Sequence, residues 1–96
     1  MAIPALAELT EASLPDETEA RITSIIESIP GVDNAHELKT RRNGQNIIID
    51  AHIVVDPEMT VFAAHEITTQ VENAIRAEFG TETQVSIHVE PHVDSE

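Results

Sequence analysis

The stretch NIIIDAHIVVD, residues 46–56, constrains this chain more than any other. Taken with a period of two, Ile47, Ile49, Ala51, Ile53 and Val55 fall on one side and Ile48, Asp50, His52, Val54 and Asp56 on the other. Alternation over this length, rich in β-branched residues, predicts a strand with one buried face. The second face is mixed and carries an imidazole at its centre. A strand of this kind needs partners, and the flanking sequence supplies them.

Residues 36–42, HELKTRR, predict a strand with Leu38 and Thr40 on one face and Glu37, Lys39 and Arg41 on the other. Asn43-Gly44 follows, a strong hairpin signal, and predicts a turn with positive φ at both central positions. The long strand then runs back antiparallel. Before this hairpin, Asp16 to Glu19 have capping-box spacing behind Pro15. Ile22, Ile25, Ile26 and Ile29 recur at i, i+3, i+4 and i+7, one apolar helix face, and Pro30-Gly31 ends it. After the hairpin, Thr60 is the expected N-cap of a second helix. Its stripe is Val61, Ala64, Ile67, Thr68, Val71, Ala74 and Ile75, with Phe79 and Gly80 closing it. Val85, Ile87 and Val89 then alternate with Ser86, His88 and Glu90 in a last strand, which Pro91 ends.

The order is αββαβ. A strand–helix–strand crossover prefers the right-handed parallel connection. The expected fold is therefore α+β and ferredoxin-like, a mixed three-stranded sheet with both helices on one face. The opposite face would carry His52, His88 and Glu90. Residues 1–14, interrupted by Pro4, are expected to form a linker, residues 15–92 the domain, and residues 93–96 a frayed tail.

The chain has 96 residues, enough for one small core, and a formal charge of −13. That balance argues against nucleic acid, whose phosphates demand Lys and Arg, and suits cations. There is no cysteine, so thiolate metal sites and disulfides are excluded. No apolar run approaches a membrane span. Catalysis finds no support: the serines sit in no nucleophile motif and the glycines are too sparse for a phosphate loop, so no enzyme is expected. His residues taken singly are usually surface groups or satisfied core members. His52 and His88, on strands expected to be neighbours, with Glu90 two residues further on, form a better case. Imidazole plus carboxylate without thiolate suits Zn²⁺ and tolerates other divalent transition metals such as Fe²⁺, Mn²⁺, Co²⁺ or Cd²⁺. The period of two does not itself bring His36 or His65 to the same place.

Several segments, taken in order, resemble the cytoplasmic C-terminal domain of cation diffusion facilitator transporters, which exchange Zn²⁺ and related ions for protons. They are Leu14-Pro15-Asp16-Glu17, Pro30-Gly31-Val32, the run from Ala35 to Arg41, Asp50-Ala51-His52-Ile53, Ala64-His65, and Ile87 to Pro91. The resemblance spans about residues 10–92. It implies a metallochaperone-like fold, a V-shaped homodimer, and metal sites that draw the lobes together and tune transport. It implies His36, His52, His65 and His88 as zinc ligands, with Glu90 where the family can use a bridging Asp. Glu is one methylene longer, which changes the bridging geometry. His92 lies outside the matched motif, and Glu11 lies near a family linker that can contact the membrane domain. That membrane domain is missing from the chain, and the connector-like look of residues 6–17 favours an excised segment of a longer transporter on the cytoplasmic side of the membrane. The alternative is a free-standing metal- or ligand-binding module of the same fold. The basic group Lys39, Arg41 and Arg42 suits an acidic partner surface or, equally, a charged edge strand.

Overall fold

The computed structural model describes residues 13–93. Most of the expected linker, Glu11 included, and tail residues 94–96 lie outside the described residues. The elements are α1 (Asp16–Glu27), β1 (Asn34–Asn43), β2 (Asn46–Val55), α2 (Val61–Phe79) and β3 (Gln84–Pro91). The sheet order is β1-β2-β3, with β1 antiparallel and β3 parallel to β2. This is the α+β arrangement that the patterning predicts, with the long strand in the middle.

The alternation of β2 decides which face is dry. Ile49, Ala51, Ile53 and Val55 are buried, while Ile48, Asp50, His52 and Val54 are partly exposed. Against the buried face pack Ile22 and Ile26 of α1 and Ile67, Val71 and Ile75 of α2. With only two aromatic residues in the chain, this core is aliphatic and dominated by isoleucine. The helices therefore cover one face of the sheet and leave the His52 face open. Leu14, which the sequence assigns to the preceding linker, is 4% exposed and belongs to this core.

The helix ends differ from expectation in two places. Pro15, not Asp16, is the N-cap of α1, and no side chain caps it. With Pro15 at the cap there is no side-chain oxygen and no N–H to close a capping box, and the Glu19 carboxylate instead accepts the hydroxyl of Thr40 on β1. Thr40 in turn accepts the backbone N–H of Leu14 at 3.0 Å. This exchange ties the start of α1 to the sheet. The acidic first turn, Asp16, Glu17 and Glu19, still suits the positive end of the helix. At α2, Thr60 caps as expected, accepting from the Ala63 N–H at 3.0 Å. The buried stripe of α2, however, begins at Ile67, since Val61 and Phe62 stand 87% and 73% exposed in its first turn.

Two backbone features shape β1. The hairpin turn is Gly44-Gln45, with Asn43 paired to Asn46. Gly44 has positive φ and Asn43 does not, so the expected pair of positive φ values is replaced by a single one at the first central residue, the II′ pattern. Further back, the β1–β2 register shifts between His36 and Lys39. His36 pairs with His52 and Lys39 with Asp50, so Glu37 and Leu38 together oppose Ala51. This is a β-bulge, and Glu37 in it has φ +52°.

Candidate metal centre

The bulge builds the site. In a regular strand the side chain of His36 would share a face with Leu38 and Thr40, on the core side. One inserted residue reverses the parity. Thr40 stays buried opposite Ile49, Ala35 packs against the core opposite Ile53, and His36 turns to the open face beside His52. The parallel register then sets His88 directly beside His52 and Glu90 beside Val54. Three strands thus deliver His36, His52, His88 and Glu90 to one face, near the C-terminal ends of β2 and β3.

Glu90 is the hub. Its Oε1 lies 3.0 Å from His36 Nε2, and its Oε2 contacts His52 Nδ1. One donor atom from each of His36, His52 and Glu90 falls within 4.8 Å of the others. His52 and His88 stack with ring centroids 4.7 Å apart and planes 21° from parallel. The His36 and His52 rings are 5.5 Å apart and tilted by 47°. Hydrogen bonding to His52, and secondly to His36, holds the Glu90 carboxyl below its ordinary range. It is therefore an anion at neutral pH, as a ligand must be. The three side chains are half-buried, His52 the most sheltered at 28% exposure.

This donor set fits a first-row divalent ion. Imidazole and carboxylate ligands of tetrahedral zinc sit at about 2.0–2.2 Å, which sets donor atoms roughly 3.3 Å apart. The His36–Glu90 separation of 3.0 Å is already near that span. The site is also open to solvent, since a cleft of about 380 Å³ lined by Asn34, His36, Val54, Glu90, Pro91, His92 and Val93 borders it.

The remaining sequence-predicted residues are placed as follows. His88 adjoins the cluster through its stack on His52 but lies outside the three-donor group. His65 is exposed on α2, a helix that packs against the opposite face of the sheet, so one protomer does not bring it to the cluster. His92 lines the cleft; its backbone N–H extends the sheet to the Val55 carbonyl at 2.7 Å, and its ring lies 3.9 Å from Asp33. Sequence reasoning missed Glu37, which it placed on one strand face with Lys39 and Arg41 and gave no role. The spacing of Ala35, Leu38 and Thr40, three residues and then two, is the signal that an extra residue sits between them.

Among the described residues no helix is long and apolar enough to cross a membrane. Comparison with known proteins gives a consistent picture. Residues 14–92 match the family model of the cation efflux protein, cytoplasmic domain. The chain is 37% identical over 91 residues to the cation-efflux pump FieF of Yersinia pestis (strain Pestoides F) and of Yersinia pseudotuberculosis serotype I (strain IP32953). The match takes in 95% of this chain but 30% of each pump, so the chain spans under a third of these relatives. A structure of CzrB in its zinc form superposes with a TM-score of 0.78 at 30% identity, over 91% of this chain and 99% of that one. A MamM CTD variant superposes with a TM-score of 0.74 at 33% identity, over 81% of this chain and 98% of that one. A further MamM CTD variant was solved in a cadmium form. The chain belongs to the cation efflux protein family, as its cytoplasmic domain.

Proposed function

We propose that this domain is the metal-sensing, dimerising part of a divalent cation/proton antiporter, with Zn²⁺ the ion that best suits its donors. Its partners are a second copy of the chain and the transporter's membrane domain. The observation that carries the reading is the convergence of His36, His52 and Glu90 from three different strands on one spot. CzrB in its zinc form, similar over nearly the whole chain, supports zinc, and the cadmium form of the MamM CTD supports a wider choice of divalent ions.

In the mechanism, the two imidazoles and the Glu90 carboxylate give nitrogen and oxygen donors to the ion, and His88 reaches the same patch from the flank of His52. His65, on the helix side, serves only an ion shared with a second copy. Each protomer carries a formal charge of −13, so two copies repel and an empty pair is loose. Neutralising charge at sites of this kind favours the closed arrangement. Coupling is then the differential affinity of the ion for two arrangements of the pair, and the same difference is available to the membrane domain.

Calorimetric titration with Zn²⁺ tests the site. Wild type should bind, and His52→Ala should lose most of that affinity, with a smaller loss for His88→Ala. An isotherm unchanged by His52→Ala removes the site. Solution scattering tests the coupling: the envelope should tighten at saturating Zn²⁺, and an unchanged envelope removes the sensing role.

A further inference from the structure

The metal-facing atoms of the cluster leave one nitrogen of each imidazole pointing the other way, and both of these point at Glu37. His36 directs Nε2 to Glu90 and His52 directs Nδ1 to it. On the far sides, His36 Nδ1 lies 3.8 Å from Glu37 Oε2, and His52 Nε2 lies 3.8 Å from Glu37 Oε1. A single carboxylate thus offers one oxygen to each ring. The residue that does so holds φ +52°, and is the one described non-glycine residue with positive φ. L-residues with a Cβ avoid this region, and such outliers persist where surrounding structure or function demands them. The bulge accounts for this backbone conformation, and the Glu37 side chain itself is 58% exposed, so it is not held by packing.

We propose that Glu37 is the positioning carboxylate of this metal centre. Once His36 Nε2 and His52 Nδ1 leave their hydrogen bonds to Glu90 for an ion, Glu37 would accept the protons then carried on His36 Nδ1 and His52 Nε2, which keeps Nε2 and Nδ1 as the donor atoms. This rests on the metal-binding role proposed above and deepens it. A ligating imidazole normally gives its second N–H to a carboxylate or carbonyl, which fixes tautomer and orientation and makes the ring a better donor. Here the two rings must use opposite nitrogens, so one outer group facing both is what keeps the tautomers unlike. The separation of 3.8 Å exceeds a hydrogen bond. A small rotation of the exposed Glu37 side chain closes it. With Glu90, Glu37 also brings two negative charges to a dication. The bulge has a double use: it turns His36 out of the core side, and it turns Glu37 back over the rings.

The test uses the whole chain in wild-type, His52→Ala, Glu37→Gly and Glu37→Gln forms. Glycine accepts positive φ without strain, so Glu37→Gly keeps the bulge and removes only the carboxylate. Zn²⁺ affinity is read by chelator competition, and imidazole protonation by ¹⁵N–¹H correlation spectra of the histidines. Wild type should bind, and His52→Ala should bind poorly. Glu37→Gly should melt no lower than wild type without metal, yet bind Zn²⁺ about 10–100-fold more weakly. With Zn²⁺ at saturation its spectra should show His36 and His52 protonated on a mixture of ring nitrogens, where wild type shows Nδ1 and Nε2 respectively. Glu37→Gln, which keeps a single acceptor, should fall between. Glu37→Gly with wild-type affinity, or with wild-type tautomers, overturns the positioning role while leaving the metal site standing. Failure of wild type to bind, or binding unaffected by His52→Ala, overturns both.

Discussion

Replacing Gly31 by alanine would place a methyl group 2.5 Å from Ile67 Cδ1 and 3.3 Å from Ile67 Cγ1. Carbon atoms pack best at about 3.5–4.0 Å, so the contact is short by roughly 1 Å. Ile67 is 7% exposed and lies in the core with Val71 and Ile75, where it has little room to move. Two costs follow. Alanine at φ +99° is strained by about 1–3 kcal/mol. Overpacking the Ile67 side chain adds about 1–3 kcal/mol. Gly80 separates the two, because it has φ +109° and nothing within 4 Å of its would-be Cβ. Gly80→Ala therefore carries the backbone cost alone. In thermal melts the two variants should differ by the steric share. At about 4–8 °C per kcal/mol for a domain of this size, Gly31→Ala should melt roughly 5–20 °C below Gly80→Ala. Ile67→Val removes the clashing Cδ1. Alone it should cost about 0.5–1.5 kcal/mol, but in the Gly31→Ala background it should restore stability. Equal melting of the two glycine variants, or no rescue by Ile67→Val, would refute the reasoning that loop and helix touch here.

Three further outcomes are expected. Thr40→Val removes a hydroxyl that joins the Leu14 N–H to Glu19 and should cost about 1–3 kcal/mol in chemical denaturation, because a buried N–H loses its acceptor. His36→Ala and His52→Ala should each weaken Zn²⁺ binding by more than the roughly 10–100-fold expected for an outer supporting group, and binding by every form should weaken in acid as the ligands take up protons. Glu90 is held below its ordinary value of 4.5 by His52 and His36. A carboxyl lowered on folding contributes stability above its unfolded pKa and loses it as pH falls through the folded one. The stability gap between metal-free wild type and Glu90→Gln should therefore be open at neutral pH and close on acidification below about pH 4.5; a gap independent of pH would contradict the pairing.

The fold was readable because its signals are periodic. The alternation of β2 fixes the buried face, the isoleucines of α1 and the stripe from Ile67 to Ile75 fix what covers it, and Thr60 marks where α2 begins. The same regularity placed His52, His88 and Glu90 together, since parallel pairing keeps side-chain parity from one strand to the next. His36 broke the pattern. A strict period of two puts it on the core side with Thr40, and one extra residue in β1 reverses that. A bulge has no strong local signature, and its residue with positive φ is Glu37 rather than glycine. Glu37 was hidden for the same reason, because an exposed acid in a very acidic chain looks like any other until both of its oxygens are seen to face imidazoles. The missing cap on α1 has a local cause, since the helix begins one residue early and puts Pro15 at the cap, while Glu19 bonds to Thr40 instead.

Crystals of the domain grown with Zn²⁺ and measured at the zinc absorption edge test the central claim most directly. An anomalous peak bonded to His36 Nε2, His52 Nδ1 and a Glu90 oxygen is the predicted result. Zinc bound only at other positions, with these three side chains unligated at saturating metal, would contradict it.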